Sequence, residues 1–315
     1  MDAAYTIVVP DSDLLSRLCG TNDSNLDLIE KYLGVPVFTK GNELSVPDDN
    51  PDIVRQFHHI IDRLLDEASS GYDVGPDMLG SILSKDEDSP FLPPHEYAIV
   101  VPGAVKKIYP KTKNQINLVK AMRCSDMVFC TGPAGSGKTF LMVAEALRLL
   151  LSREKSRIIL TRPVVEAGEN LGYLPGDLEQ KINPYLRPLF DSINLLLPPA
   201  TSKKLMGSGM IETAPLAYMR GRTLDDSVII LDEAQNTTCE QMKMFLTRMG
   251  EGSKVFVTGD ITQIDLPSRV ASGLVHATSI LRHIEEIQMV SFDSSDVVRN
   301  PLVKKIVQAY EYDKN

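Results

Sequence analysis

Long apolar segments are absent from this chain of 315 residues, and no run approaches the ~20 apolar residues that a membrane-spanning helix requires. The acidic N-terminus lacks the basic and then apolar leader of a secretion signal. Hydrophobic residues make up 43% and charged residues 24%, which is ordinary for a globular protein with a full core. We therefore expect a cytoplasmic protein that makes no membrane contact.

Paired cysteine spacings are also absent. The four cysteines, Cys19, Cys124, Cys130 and Cys239, are scattered along the chain. This scatter argues against a disulfide framework or a zinc site and favours a reducing compartment. The sequence shows no internal repeat.

Basic residues are scarce in the first third of the chain. Residues 1–100 hold 6 Lys and Arg against 19 Asp and Glu, whereas residues 101–315 hold 27 against 23. Because nucleic acids attract basic surfaces, any nucleic-acid contact is expected mainly in the second part.

The length and the patterns predict a small α+β module at 1–70, a linker with a hairpin at 71–109, and a larger α/β domain at 110–315. The first module has a βααββα order, which is KH-like, that is, similar to RNA-binding KH modules. Its Gly20-Thr21-Asn22-Asp23 turn keeps only the first glycine of the G-x-x-G backbone clamp. We favour a structural or assembly role for this acidic module over RNA binding.

From Pro110 onward, strands and helices alternate, which predicts a parallel sheet with flanking helices. The predicted strands are Met127–Cys130, Arg157–Thr161, Ile211–Ala214, Val228–Leu231, Lys254–Thr258 and Ile287–Phe292. The predicted helices are Lys113–Cys124, Lys138–Ser152, Leu178–Leu197, Thr238–Met249, Leu274–His283 and Asn300–Glu311.

A phosphate-binding loop pattern lies between the first of these strands and the next helix: Gly132-Pro133-Ala134-Gly135-Ser136-Gly137-Lys138-Thr139. Its glycines allow backbone N–H groups to surround a phosphate chain, and the helix directs its positive end to the same place. We expect Lys138 to bind the β- and γ-phosphates of ATP and the Thr139 hydroxyl to hold Mg²⁺. The pattern predicts a RecA-like P-loop NTPase domain.

Two carboxylates, Asp232 and Glu233, directly follow the apolar strand Val228–Leu231. Ligands of open parallel sheets bind at the carboxyl ends of strands. We expect Asp232 to orient Mg²⁺ and Glu233 to activate a water molecule against the γ-phosphate. A carboxylate placed directly after the metal-orienting Asp favours hydrolysis over phosphate transfer to an alcohol.

Two glutamines are further candidates. Gln263 follows the strand Lys254–Thr258 and could report the presence of the γ-phosphate, since an amide both donates and accepts. Gln115 lies shortly before the loop strand and could contact an adenine edge. A plain turn and a helix start capped by Thr112 are the respective alternatives.

The phosphate loop, Asp232-Glu233-Ala234-Gln235 and Gly259-Asp260-Ile261-Thr262-Gln263 together resemble the first motor lobe of superfamily 1 helicases. The segments Thr161–Asp177, Ala214–Thr223, Asp232–Thr238 and Gly259–Pro267 are more similar still to the PhoH-like ATPase family. The resemblance covers 1–315 in layout and is dense from Lys111 to Glu311. It implies a cytoplasmic ATPase, linked by name to phosphate starvation and suspected of acting on RNA.

One segment, Asp296–Leu302, departs from that family at Asn300, where His is usual, although Arg299 is kept. Helicases of superfamily 1 use an arginine from a second lobe, but only 52 residues follow Gln263 here. We therefore expect a homo-oligomer, for which a ring is one form, in which Arg299 of one subunit reaches the nucleotide of the next. Arg220 and Arg222 are rival candidates, and all three could instead be surface arginines or pair with nearby aspartates.

Basic residues between the two nucleotide motifs could form a surface for single-stranded RNA, with tyrosines available for stacking. They are Arg162, Lys181, Arg187, Lys203, Lys204, Arg220 and Arg222, with Tyr173, Tyr185 and Tyr218. The leading hypothesis is an ATP hydrolase that couples turnover to RNA binding or remodelling. A non-motor nucleotide switch has the same motifs and stays open, and a small-molecule P-loop kinase is disfavoured by Glu233.

Overall fold

The computed structural model describes residues 4–47, 49–69, 74–83, 94–104, 107–163 and 178–297. The chain forms two compact units, Met1–Ala98 with Lys107–Lys113 and Ile99–Lys106 with Asn114–Asn315. The predicted helix at Asn300–Glu311 and most of the family-like segment at Thr161–Asp177 lie outside the described residues.

The first unit begins with the βααββα order that the sequence predicts. Its elements are β1 (Ala4–Val8), α1 (Ser12–Cys19), α2 (Ser24–Leu33), β2 (Phe38–Lys40), β3 (Glu43–Pro47), α3 (Pro51–Ser69), α4 (Pro76–Ile82) and α5 (Pro94–Tyr97). The described residues form an antiparallel sheet in the order β1-β3-β2. The KH-like character of this unit and its structural or assembly role stay predictions.

The core of the first unit extends beyond the predicted boundary at residue 70. Helix α3 buries Phe57 and Ile61, and α4 buries Met78 and Leu79 in the same apolar cluster. Residues 74–83 therefore belong to this unit rather than to a linker, because their side chains complete its core. The sequence also predicts a hairpin with strands at Tyr97–Val101 and Val105–Tyr109. The start of its first strand is wrong, because Tyr97 is the last residue of helix α5.

The second unit contains α6 (Lys113–Cys124), β4 (Met127–Thr131), α7 (Lys138–Leu151), β5 (Arg157–Arg162), α8 (Leu178–Leu196), α9 (Pro199–Gly207), β6 (Ile211–Pro215), β7 (Ser227–Leu231), α10 (Cys239–Leu246), β8 (Lys254–Gly259), α11 (Gly273–Leu281) and β9 (Ile287–Ser291). In the described part of the chain, its six strands are all parallel and follow the order β6-β5-β7-β8-β4-β9. The predicted α/β P-loop NTPase architecture is confirmed.

The differences from the predicted elements are small and local. Helix α10 begins after Thr238, whose side chain accepts from Gln241 N in a capping box, and it ends three residues before the predicted Met249. Helix α9 had not been predicted. It begins at Pro199, in the first turn where a missing N–H costs no hydrogen bond.

The strand order determines where the functional candidates meet. Strand β7 is buried along its whole length and lies between β5 and β8, and β8 lies next to β4. Because the strands are parallel, the segments that follow β4, β5, β7 and β8 all emerge at one edge of the sheet. No helix in the described residues is long and apolar enough to cross a lipid bilayer.

Candidate functional site

A cavity of about 270 Å³ opens at the carboxyl edge of the central strands. It is lined by Ala134, Gly135, Gly137, Lys138, Thr139, Phe140, Ser192, Asp232, Glu233, Thr258, Gly259, Asp260 and Gln263. The structure thus brings the phosphate loop, the two carboxylates and Gln263 to one place, as their positions in the sequence had suggested.

The phosphate loop forms one side of the cavity and joins β4 to α7. Gly137, immediately before α7, has φ +86°, a left-handed conformation that favours glycine. Gly132 has φ +147°, and a Cβ atom there would lie 2.6 Å from Phe292 Cβ. Both glycines are therefore needed for the path of the backbone.

The Lys138 side chain lies inside the loop, and the residue is 7% exposed. Its ammonium group donates to the carbonyl oxygens of Gly132 and Pro133, both at 2.8 Å, and lies 3.3 Å from Ser136 Oγ. Burial lowers the pKa of Lys138 below its ordinary value, and the nearby carboxylates act in the opposite direction. The loop therefore holds a cation at the cavity wall.

The opposite side of the cavity begins with Asp232, which is 5% exposed. Thr139 Oγ1 donates to Asp232 Oδ1 at 2.7 Å, so the two predicted metal ligands are adjacent. Burial raises the pKa of Asp232 above its ordinary value, while the Arg162 guanidinium opposes the increase. A hydroxyl and a carboxylate at a cavity edge are hard oxygen donors, and they suit Mg²⁺ that takes its other ligands from phosphate and water.

Glu233 follows Asp232 in a left-handed backbone conformation, φ +53°, which is uncommon for a residue with a side chain. Its Oε1 accepts from Arg162 Nη2 at 2.7 Å, and its Oε2 accepts from Gln235 Nε2 at 2.5 Å. Both oxygens are therefore held by side chains, although the side chain is 40% exposed and lines the cavity.

Gln235 connects the carboxylate side to the phosphate loop. It is 1% exposed, and its Oε1 accepts from Asp260 N at 3.0 Å. Asp260 Oδ2 in turn accepts from Ala134 N in the phosphate loop at 3.1 Å. A continuous series of hydrogen bonds thus runs from Glu233 through Gln235 and Asp260 to the loop.

Sequence reasoning did not assign functions to Gln235 or Asp260, and it placed Arg162 only among possible RNA-binding residues. The first two stand inside recognised motifs, two residues after Glu233 and three before Gln263, so a positional signal existed. For Arg162, the only signal is its position at the end of β5, because its partners depend on the order of the strands.

The two predicted glutamines occupy different surroundings. Gln263 lines the cavity with an exposed side chain, and its backbone N donates to Asp260 O at 3.0 Å. Gln115 is buried, and its Nε2 donates to Ser136 O of the phosphate loop at 3.0 Å. This geometry makes Gln115 a support for the loop, and its contact with adenine stays a prediction, as does γ-phosphate sensing by Gln263.

The three candidates for the arginine that reaches a neighbouring subunit's nucleotide differ in position. Arg299 and the neighbouring Asn300 lie outside the described residues. Arg222 pairs with Glu212 through both terminal guanidinium nitrogens, with Nη2 2.7 Å from Oε2, rather than with the nearby Asp225 and Asp226. Arg220 is exposed.

The residues predicted to bind RNA do not share one kind of surroundings. Arg187, Lys203 and Lys204 are exposed, and Tyr218 is 53% exposed. Arg162 instead faces the carboxylates of the cavity. The side chains of Lys181, Tyr173 and Tyr185 lie outside the described residues.

Comparisons with known proteins show the family to which the chain is similar. A family model described as "PhoH-like protein" matches residues 107–311. A PhoH-like protein of Mycobacterium leprae is 46% identical over 320 residues, covering 100% of this chain and 90% of that protein. One from Bacillus subtilis is 47% identical over 309 residues, covering 96% of this chain and 95% of the relative. Protein PhoH of Escherichia coli is 44% identical over 205 residues, covering 64% of this chain and 58% of that protein.

Similarity to solved structures is weaker. The large terminase of a thermophilic bacteriophage matches with a TM-score of 0.41 at 12% identity, covering 62% of this chain and 49% of the terminase. The Pif1 helicase of Candida albicans matches with a TM-score of 0.32 at 17% identity, covering 58% of this chain and 39% of the helicase. Both likenesses are partial, and neither reaches half the length of the other protein.

Proposed function

The chain belongs to the PhoH-like family, and on that premise we propose that it hydrolyses ATP with Mg²⁺ and couples turnover to RNA binding or remodelling. Its second unit is a P-loop NTPase domain. The observation that carries the proposal is the cavity between the phosphate loop, with Lys138, and the adjacent carboxylates Asp232 and Glu233.

The loop side supports nucleotide binding. The backbone of Gly132–Thr139 and the N-terminus of α7 would surround the phosphates with N–H donors, and Lys138 would donate to the β- and γ-phosphates. Thr139 and Asp232, already joined by a hydrogen bond of 2.7 Å, would hold Mg²⁺. When bound, the metal ion supplies positive charge against the phosphate oxygens.

The carboxylate side supports hydrolysis. Glu233 lines the cavity beside Asp232 and can accept a proton from a water molecule placed against the γ-phosphate. Gln263 lines the same cavity and can contact that phosphate as an acceptor or a donor. Among the lining residues in the described part of the chain, Glu233 is therefore the best-placed general base.

Coupling to RNA is supported by the exposed basic residues Arg187, Lys203 and Lys204 and by the exposed ring of Tyr218. Basic groups bind the phosphates of a strand and aromatic rings stack on its bases. Binding of single-stranded RNA to this surface should weaken as the salt concentration increases. The reason is that binding releases counterions from the RNA, and this release is less favourable at high salt.

Completion of the site by a second subunit is part of the same proposal. An arginine supplied from a neighbouring chain can increase the rate by ~10³–10⁵. We assign this role to Arg299, so ATPase activity per chain should increase with protein concentration through the assembly range. Activity that stays constant across that range would exclude an arginine supplied in trans.

The direct test measures phosphate release from ATP and Mg²⁺ while single-stranded RNA is added, at low and at moderate salt. We expect stimulation that is weaker at moderate salt, with Lys138→Ala as the blank for contaminating activity. Hydrolysis without stimulation and without salt-sensitive RNA binding would support a nucleotide switch instead. No hydrolysis above the blank would overturn the ATPase proposal itself.

A further inference from the structure

Arg162 occupies a position that the proposed mechanism does not use. It is the last residue of β5, and its side chain is 17% exposed. Its Nε lies 3.2 Å from Asp232 Oδ2, and its Nη2 lies 2.7 Å from Glu233 Oε1. One guanidinium group therefore spans two carboxylates that have different predicted roles.

Each oxygen of the two carboxylates lies next to a named partner. Asp232 Oδ1 accepts from Thr139 and Glu233 Oε2 accepts from Gln235, while the other oxygen of each carboxylate faces Arg162. Two adjacent negative charges, one of them almost fully buried, repel each other and are costly to remove from water. The planar guanidinium fork can contact both carboxylates at once, which a single ammonium group cannot do with the same geometry.

We infer that Arg162 is the counter-ion and positioning residue of the Asp232–Glu233 pair: before Mg²⁺ binds, it offsets one of the two negative charges, and it holds Glu233 against the cavity. The inference rests on the proposed function only in assuming that Thr139 and Asp232 form the Mg²⁺ site. Arg162 contacts both carboxylates and is not among the residues that line the cavity. It therefore acts through Glu233 and Asp232 rather than on the substrate.

The first test uses Mg²⁺ alone, without nucleotide, and thermal unfolding as the readout. Arg162→Gln removes the cation, so we expect the unfolding temperature to fall without Mg²⁺ and to recover as Mg²⁺ is added. The apparent affinity for Mg²⁺ should increase by about tenfold over the unmodified protein, because one competing positive charge is lost. The double variant Arg162→Gln/Asp232→Asn should lose this response.

Arg157→Gln is the matched control, since Arg157 is an exposed arginine at the other end of the same strand. It should respond to Mg²⁺ as the unmodified protein does. If Arg162→Gln and Arg157→Gln respond equally, Arg162 contributes packing alone and the inference is wrong.

Arg162→Lys supplies a second arm should Arg162→Gln fail to fold. It keeps the charge and loses the fork, so the response to Mg²⁺ should stay near that of the unmodified protein. We expect kcat to fall by about tenfold with KM for ATP unchanged, because Glu233 is held less well. An unchanged kcat would contradict the positioning role. If neither the unmodified protein nor any variant releases phosphate, the proposed function is overturned. The comparison of the responses to Mg²⁺ would still decide whether the inference about Arg162 holds.

Discussion

The two sides of the cavity are built in different ways. The loop side consists of consecutive residues, Gly132–Thr139, and uses the backbone and one lysine. The carboxylate side consists of side chains that follow strands β7 and β8, among them Glu233 and Asp260, and Glu233 is held by Arg162 at the end of β5. The first is specified by local sequence and the second by the order of strands in the sheet.

This difference in construction suggests a division of function. Backbone N–H groups and Lys138 suit the fixed charges of a bound phosphate chain, in the ground state as well as in the transition state. Glu233 and the residues that hold it suit the water molecule that reacts, which matters only for the rate. Substitutions on the loop side should therefore change ATP binding, and those on the carboxylate side should change kcat.

The largest effect is expected from Lys138→Ala on the loop side. Loss of a buried, charged donor should reduce kcat/KM by roughly a hundredfold to a thousandfold and should weaken ATP binding. Titration with a fluorescent ATP analogue, together with phosphate release, measures both. Lys155→Ala is the control, because Lys155 contacts Gly252 O beyond the end of α7. Unchanged ATP binding in Lys138→Ala would contradict the assignment of ATP binding to the loop side.

A large loss of stability is expected from Gly132→Ala. The new Cβ atom would lie 2.6 Å from both Cβ and O of Phe292, at a φ of +147° that side chains rarely adopt. We expect a decrease of about 2–4 kcal/mol in the free energy of unfolding, measured by urea denaturation.

Gly209→Ala separates the clash from the backbone strain. Gly209 has φ +72° with nothing within 4 Å of its Cβ position, so this variant should lose only about 1 kcal/mol. Equal losses in the two variants would show that contact with Phe292 does not constrain the loop.

Gln235→Leu tests the connection within the carboxylate side. The change removes the donor to Glu233 and leaves the buried Asp260 N–H without its acceptor. We expect kcat to fall by about tenfold with KM for ATP nearly unchanged, and stability to fall by about 1–3 kcal/mol. Steady-state kinetics on folded protein distinguish the fall in kcat from the fall in stability. A rise in KM at constant kcat would place Gln235 functionally on the loop side.

The smallest effect is expected from Gln115→Ala. Its amide donates to Ser136 O, so the variant should lose about 1 kcal/mol of support for the loop and bind all nucleoside triphosphates more weakly by a similar factor. Binding of ATP and GTP analogues is the measurement. Selective loss of ATP binding would instead support the predicted adenine contact.

The extent to which the sequence predicts the molecule follows the same division. The succession of strands and helices along the second unit follows from alternating apolar segments, and the phosphate loop follows from one pattern. The contacts of Arg162 with Asp232 and Glu233 could not be predicted, because they require β5 to lie next to β7. Gly75 and Pro76 signal a break, so the sequence predicts only a short helix at Pro76–Leu83 within a linker, and the burial of α4 in the core of the first unit depends on packing.

Glu233→Gln separates ATP binding from turnover and so tests Glu233 as the general base. The substitution keeps the size of the side chain and removes the base, so it should leave ATP affinity near that of the unmodified protein. Phosphate release in a single turnover should slow by about a hundredfold or more. Near-normal release by Glu233→Gln would contradict the assignment of Glu233 as the group that activates water.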